Sequence, residues 1–188
     1  MSSPFKLLKN KRAFTLIEVL VVISIIGILM SILVLNFEES RNRARDNVRK
    51  SDLKSVQLAL EVYKAQNGKY PDPGCGVAPY GSAGGWAGPG PNSAGWGTSC
   101  STYIVGLAPD YIPALPNDPN QENVDNTGYL YTTNADRSSY KLLSHMAVES
   151  LYVNSYADEF ARWPKDCGSG IPLQNGVYAV YSAGAECW

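Results

Sequence analysis

The hydrophobic positions of this chain change their spacing along its length. From Phe14 to Phe37 the residues are apolar apart from a few polar ones, namely Thr15, Glu18, Ser24, Ser31 and Asn36. After this run, apolar residues recur at intervals of mostly three or four, which is typical of one helix face; they are Ala44, Val48, Leu53, Val56, Leu60 and Tyr63. The pattern predicts one continuous helix with an apolar first half (14–37) and an amphipathic second half (38–66).

The predicted helix ends at Asn67 and Gly68, a helix-stop signal that Pro71 follows. A helix from Phe14 to about Gln66 would be ~80 Å long, at 1.5 Å per residue. Its apolar half is long enough to cross the ~30 Å hydrocarbon layer of a bilayer. The first 13 residues contain four basic side chains and no acid. By the positive-inside rule they stay in the cytoplasm, and the residues beyond the span lie outside it.

A secretory signal peptide also has a basic start and an apolar core, so it is an alternative to a permanent anchor. Its cleavage site would follow the apolar run and would be preceded by small residues. Here the run is followed by residues 36–41, NFEESR, which contain no Ala-x-Ala pattern. The apolar segment is also longer than the core of a usual signal peptide. The sequence therefore favours a membrane anchor.

Strand signals occur in the C-terminal part of the chain. Residues 128–133 and 139–144 are rich in aromatic and branched side chains and flank a turn at 134–137, and a third strand is predicted at 176–182. Residues 71–100 hold nine glycines and five prolines, too many for any regular element, and are predicted to form a loop. Three antiparallel strands need a covering layer, which the amphipathic half of the helix can supply. The fold class predicted is α+β.

All four cysteines, Cys75, Cys100, Cys167 and Cys187, lie beyond the apolar segment. An even number on one side of a membrane span predicts two disulfides and an oxidising compartment. Three pairings are open, and we favour Cys75 with Cys100 and Cys167 with Cys187, because each pair would close a local loop. Unpaired thiols or a metal site are the alternative, but the spacings contain no Cys-x-x-Cys pair.

Five basic residues cluster after the apolar run: Arg41, Arg43, Arg45, Arg49 and Lys50. Acids interleave with them and permit i,i+4 pairs, so this cluster is interpreted as a solvated helix face. Without the four basic residues of the first 13 positions, 12 basic residues would remain against 17 acidic ones, a net charge of −5. Proteins that read nucleic acids show the opposite sign. Direct binding of nucleic acid is therefore not expected.

The sequence offers no catalytic constellation. His145, which lies on a predicted strand, is the single histidine, and it has neither a nucleophile elbow nor a zinc-type pair around it. We therefore interpret it as structural and expect no enzymatic activity. Trp86 and Trp96 lie in the predicted loop; they could form a recognition surface or pack back on the domain, and both possibilities stay open.

One carboxylate, Glu18, lies near the start of the apolar run. Deep in a bilayer it would cost ~2.5–3.5 kcal/mol and would need a partner, whereas at the headgroup level the cost falls. Position alone leaves both options open. The surrounding segment, residues 11–22, reads KRAFTLIEVLVV. It resembles the prepilin processing and methylation motif of type IV pilins and type II secretion pseudopilins.

The resemblance implies a processing site and an assembly residue. In that family a membrane-bound prepilin peptidase cuts the chain on the cytoplasmic side and methylates the new amino terminus. Here the resemblance implies a cut between Ala13 and Phe14 and methylation of the Phe14 amino group. Residues 1–13 would be a leader, 14–37 a transmembrane and filament-core helix, and 38–188 an extracytoplasmic domain. Glu18 would pair with the Phe14 ammonium group of an adjacent subunit, since opposite charges attract strongly in an apolar bundle.

The resemblance also implies a fold, partners and a location. The fold would be a small antiparallel sheet packed on the C-terminal half of the long helix. The partners would be copies of this chain, other pilin-like subunits, the peptidase and an inner-membrane assembly platform. The protein would first be a single-pass protein of the inner membrane and then part of a periplasmic or cell-surface filament. The alternative function is a membrane-anchored module that displays loop 71–100 and binds a ligand without polymerising.

No cofactor is expected, although some major pseudopilins carry a calcium-binding loop near the C-terminus. Loop carboxylates that could supply oxygen ligands are present, but none follows a recognisable calcium-loop spacing. We therefore interpret them as scattered solvated carboxylates and predict no metal site, with calcium binding left open as the alternative; they are Asp118, Glu122, Asp125, Asp158, Glu159 and Asp166.

Overall fold

The computed structural model describes residues 14–77, 85–89, 98–99, 101–120, 127–164, 167 and 173–188. The predicted leader, residues 1–13, lies outside the described residues, as do the side chains of 32–36. The chain divides into two compact units, with the boundary between Ser40 and Arg41. The described residues form one helix and one sheet, which confirms the α+β class.

Helix α1 runs from Leu16 to Asn67, which confirms the continuous helix and its predicted end. The amide of Gly68 still donates a hydrogen bond of 2.8 Å to the carbonyl oxygen of Lys64. Gly68 then adopts a φ of 77° and turns the chain out of the helix. Glycine is suited to this position because it has no Cβ to clash in the left-handed region.

The described part of the first unit is helical and exposes large apolar side chains on every side. The exposed fraction is 68% at Ile17, 53% at Leu20 and 65% at Ile28. Within the residues that the structure describes, no helix combines the length and the apolar character needed to cross a membrane.

In the described part of the second unit, five strands form the sheet, in the spatial order β2-β1-β3-β4-β5. Their bounds are Ala87–Gly88 (β1), Thr98–Ser99 (β2), Gly128–Thr133 (β3), Tyr140–His145 (β4) and Tyr178–Tyr181 (β5). β3 pairs antiparallel with both β1 and β4, and β5 extends the sheet antiparallel to β4, whereas β1 and β2 pair in parallel. The three predicted strands are confirmed: β3 has the predicted bounds, and the ends of β4 and β5 are shifted by one or two residues.

The prediction that 71–100 contains no regular element is wrong. β1 and β2 lie inside this segment and add two short strands to one edge of the sheet. A two-residue strand depends on backbone hydrogen bonds rather than on a side-chain pattern, so neither an Ala-Gly nor a Thr-Ser pair carries a readable strand signal.

Helix α1 covers one face of the sheet, as predicted. Leu53, Val56 and Leu60 of the helix are at most 1% exposed and share one hydrophobic cluster with strand side chains. The strand members of this cluster are Tyr129, Tyr131, Tyr140, Leu142, Tyr178 and Val180. Because side chains alternate along a strand, the intervening residues point to the opposite face.

The opposite face of the sheet is covered by part of the glycine- and proline-rich segment. Trp86 is only 6% exposed and packs with Leu130, Leu143, Val177 and Ala179. Of the two possibilities for the tryptophans, packing on the domain is therefore confirmed for Trp86, whereas Trp96 lies outside the described residues.

Candidate functional site at the start of the long helix

Thr15 and Glu18 form a reciprocal hydrogen-bonded cap at the start of α1. Glu18 Oε2 accepts hydrogen bonds of 2.8 Å from both the backbone N–H and the hydroxyl of Thr15. The backbone N–H of Glu18 in turn donates to Thr15 Oγ1 over 3.3 Å. This is a capping box, in which residues at the N-cap and N3 positions satisfy each other's free N–H groups. It also places the carboxylate where the helix dipole favours a negative charge.

The residues predicted for processing and assembly lie at this helix start. Phe14 directly precedes the capping threonine, and 86% of it is exposed. Glu18 is exposed as well. Ala13 lies outside the described residues, so the predicted cleavage site between Ala13 and Phe14 stays a prediction. The pairing of Glu18 with a neighbouring subunit also stays a prediction.

The interpretation of the basic cluster as a solvated face is wrong for Arg49. Its side chain is 1% exposed, and it binds carboxylates from the helix and from two loops. Nε and Nη2 donate to the two oxygens of Asp118 over 2.7 and 2.8 Å, and Nη1 donates to Asp46 over 2.7 Å. Nη2 also lies 2.8 Å from Glu149 Oε1.

Asp46 anchors the loop after β4 to the helix. Its Oδ2 accepts N–H groups from Ser150 and Leu151 at 2.6 and 2.8 Å, and its Oδ1 accepts the N–H of Glu149 at 3.0 Å. Burial of this fully enclosed carboxylate opposes its charge, but the three backbone hydrogen bonds hold its pKa below the ordinary value. Asp46 therefore stays ionised although no part of it is exposed.

A second arginine extends this network toward the solvent. Arg45 makes a two-pronged contact with the Glu149 carboxylate and also donates to Asn42 Oδ1 over 2.6 Å. The hydrogen bond from Arg45 is the main reason that the pKa of Glu149 lies below its ordinary value, and Arg49 adds to the effect. Sequence reasoning did not find this network, because its loop carboxylates are remote in sequence from the helix.

The described cysteines are disulfide-bonded, as the sequence predicts. Cys167 and Cys187 form a disulfide across 20 residues, which confirms the pair favoured above. Cys75 is also disulfide-bonded, and its expected partner Cys100 lies outside the described residues. The disulfide between Cys167 and Cys187 therefore adds a covalent cross-link to the hydrogen bonds and packing of the sheet.

The loop carboxylates considered as calcium ligands have other partners where the structure describes them. Asp118 is bound by Arg49, Asp158 accepts the N–H of Phe160 over 2.8 Å, and Glu159 pairs with Lys54. Across the described ranges, no group of three or more histidine, cysteine or acidic residues could hold a metal ion. Glu122, Asp125 and Asp166 lie outside these ranges. His145 ends β4 and is 3% exposed, so it is a core residue.

Known proteins share the start of this chain. Residues 8–34 match the prokaryotic N-terminal methylation motif, a segment that includes the capping box. The type II secretion system core protein G of Pectobacterium carotovorum is 40% identical over 62 residues, which are 33% of this chain and 40% of that protein. The chain therefore carries a prokaryotic N-terminal methylation segment.

Other relatives align with the same N-terminal part of the chain. Core protein G of Escherichia coli K12 is 40% identical over 62 residues, 33% of this chain and 43% of that protein. The type IV wide pilus major component PilA4 of Thermus thermophilus is 40% identical over 63 residues, 34% of this chain and 48% of that protein. The aligned part thus spans less than half the length of these relatives. No solved structure matches the chain.

Proposed function

We propose that this chain is a structural subunit of a filament, either a type IV pilus or a type II secretion pseudopilus, rather than an enzyme. One observation carries the proposal: the methylation motif at residues 8–34 coincides with the start of a long helix that exposes apolar side chains and one carboxylate, Glu18. The relatives named as a secretion core protein and as a major pilus component support the same function.

The exposed apolar residues of α1 require a non-aqueous surrounding. A helix that is hydrophobic on all sides is stable when it is buried in a protein core or in a membrane. Each large aliphatic side chain there contributes ~1.5–3 kcal/mol once it leaves water. In the proposal, lipid covers residues 14–37 first, and neighbouring helices cover them after assembly. The disulfide between Cys167 and Cys187 fits a domain on the extracytoplasmic side of the inner membrane.

Processing prepares the helix for assembly in this scheme. A prepilin peptidase cuts between Ala13 and Phe14 and methylates the Phe14 amino group, which leaves a cationic terminus four residues before Glu18. In an apolar bundle, a lone carboxylate or a lone ammonium group is costly, whereas the two together attract each other. The Glu18 carboxylate of one subunit therefore pairs with the Phe14 terminus of the next and sets the register between them.

The processing step is tested by intact-mass measurement of the full chain coexpressed with an active prepilin peptidase. The expected product lacks residues 1–13 and carries one methyl group on Phe14. Coexpression with a catalytically inactive peptidase is the control and should leave the chain unshortened. An unshortened chain beside the active enzyme would contradict the proposal.

The assembly step is tested by filament yield in cells that hold the complete machinery. Glu18→Gln keeps the size of the side chain but removes its charge, so we expect filaments to be lost while the protein still reaches the membrane. Ser24→Ala is the matched control from the same apolar run, because the Ser24 hydroxyl only donates to the Leu20 carbonyl of its own helix over 2.8 Å. Equal filament yield in the two variants would reject a role for the Glu18 charge.

The alternative, a tethered binding module, has less support. Trp86, one of the two aromatic anchors expected in its display loop, is buried against the sheet. If the chain is such a module, Glu18→Gln should change neither its location nor its ligand binding. The same variant therefore distinguishes a filament subunit from a tethered binding module.

A further inference from the structure

The guanidinium group of Arg49 lies among three carboxylates from three parts of the second unit. Asp46 belongs to the same helix, Asp118 precedes β3 in the chain, and Glu149 follows β4. All three lie 2.7 to 2.8 Å from a guanidinium nitrogen. Carboxylates crowded around one point from separate loops repel each other unless a cation lies between them.

The donors around this point do not fit a bound calcium ion. Both oxygens of Asp118 accept N–H groups of Arg49, and Oδ1 also accepts the backbone N–H of Asn120 over 2.9 Å. The oxygens of Glu149 are engaged by Arg45 and Arg49. A neighbouring cavity of about 190 Å³ is lined by Asp118 and Glu149, but also by Arg49 itself. A divalent cation there would face a fixed positive charge.

We propose that Arg49 is a built-in counter-ion that replaces a divalent cation, joining the loops around Asp118 and Glu149 to helix α1 without metal. The planar guanidinium suits this role because its fork of N–H groups can bind one carboxylate with two bonds and still reach two others. Burial opposes the charge on Arg49, yet the surrounding carboxylates raise its pKa above the ordinary value, so it stays a cation at every working pH. This inference is independent of filament formation.

The inference is tested on the full-length chain in detergent, by thermal unfolding with EDTA, with 10 mM calcium chloride, or with sodium chloride of equal ionic strength. The wild-type melting temperature should be the same in all three. Arg49→Gln removes the cation and offers an amide oxygen, a ligand type that calcium accepts. We expect its melting temperature to fall by ~6–20 °C in EDTA, the range for loss of one partner from a buried ion pair in a protein of this size. Calcium, but not sodium, should restore at least half of that loss.

Two further variants define the comparison. Arg41→Gln, an exposed arginine on the same helix, is the matched control and should change nothing. Arg49→Lys keeps the charge but not the fork, so it should lose less stability and should not respond to calcium. If Arg49→Gln does not fold in EDTA, refolding in calcium becomes the readout, and a second change, Glu149→Gln, should recover folding by removing one carboxylate.

Four results would overturn the inference. One is a wild-type protein that EDTA destabilises, and another is an Arg49→Gln variant as stable as wild type. The third is a destabilised variant on which calcium acts no better than sodium, which would leave Arg49 as an ordinary ion-pair partner. The last is failure of Arg49→Gln to refold in calcium together with failure of the double variant with Glu149→Gln.

Discussion

Asp46→Asn is the perturbation that most directly tests how the second unit is held together. The Asp46 carboxylate uses both oxygens as acceptors: Oδ2 for Ser150 and Leu151, and Oδ1 for Arg49 and Glu149. An asparagine side chain has the same size but only one acceptor oxygen, and its amino group donates. Whichever way the amide is turned, its amino group faces donors, so several buried N–H groups lose their partner.

The expected cost follows from these contacts. A hydrogen bond to a charged group contributes ~1.5–3 kcal/mol, and the several bonds of one carboxylate are not additive. Removal of one partner from a buried ion pair costs ~3–5 kcal/mol, because the remaining charge stays buried. We therefore expect Asp46→Asn to lower the free energy of unfolding by ~3–5 kcal/mol and the melting temperature by ~6–20 °C.

The assay is thermal unfolding of the full chain in detergent at pH 7, combined with amide hydrogen exchange of residues 146–151. Faster exchange should be concentrated in this segment, because Asp46 holds its backbone N–H groups. Asp110→Asn, an exposed loop aspartate, is the matched control for the chemical change. The reasoning would be refuted if Asp46→Asn lowered the free energy of unfolding by less than ~1 kcal/mol, the average effect of a point mutation, and left hydrogen exchange at 146–151 unchanged.

The same substitution changes the response to acid. The pKa values of Asp46 and Glu149 lie below their ordinary values of 3.8 and 4.5 in the folded chain. Their contribution is therefore fully present above the ordinary values and is lost as the pH falls through the lower, folded values. Wild type should lose stability steeply below about pH 4, and Asp46→Asn should lose less over the same interval. Parallel acid curves for the two proteins would show that Asp46 does not supply this dependence.

Three further predictions concern other parts of the chain. Thr15→Val removes the hydroxyl of the capping box at a cost of ~0.5–2 kcal/mol to the helix start, so filament yield should fall less than in Glu18→Gln; an equal loss would mean that the cap itself is essential. Cys187→Ser opens a disulfide across 20 residues and should cost ~3 kcal/mol in urea unfolding, and a midpoint unchanged from that of the oxidised wild type would contradict it. Burial, and then the charge of Arg162, lower the pKa of Lys141 to about 7 in the folded chain. Above this pH the unfolded chain binds one proton more than the folded chain, so the free energy of unfolding rises by up to ~1.4 kcal/mol per pH unit. Lys141→Met should abolish that rise between pH 7 and 9, and an equal rise in wild type and variant would argue against it.

Local patterns were sufficient to predict helix α1 and strands β3, β4 and β5, but not the two short strands β1 and β2. The three-and-four spacing of apolar residues predicted α1, and Asn67-Gly68 predicted its end, because both signals come from neighbours in the chain. The aromatic and branched runs predicted β3, β4 and β5 for the same reason. The capping box at Thr15 and Glu18 also follows the local Thr-x-x-Glu pattern.

Partners from distant parts of the chain could not be predicted from these patterns. Arg49 has the helical spacing and charged neighbours of a solvated residue, and its burial depends on Asp118, which is 69 positions away. The Asp46 carboxylate likewise binds backbone N–H groups 104 positions away at Ser150. A single sequence gives the periodicity of α1 but does not show which loop returns to cover it. Ion pairs that join loops to a helix are therefore the part of this fold that reading the sequence misses.

In the proposed filament Glu18 has two roles, as the helix cap with Thr15 and as the partner of a neighbouring Phe14 terminus. The two interactions contribute different free energies, and this difference decides the order in which they form. In water the capping box satisfies the carboxylate at a gain of ~0.5–2 kcal/mol. Thr15 supplies hydrogen bonds but no positive charge, so this arrangement becomes insufficient once lipid or neighbouring helices exclude water. A cation 4 Å away contributes about 4 kcal/mol at an effective dielectric constant of 20, more than the cap does. Because the cap already fixes the carboxylate at the helix start, the proposed ammonium terminus of a neighbouring Phe14 would meet a positioned partner, and little further ordering would be needed.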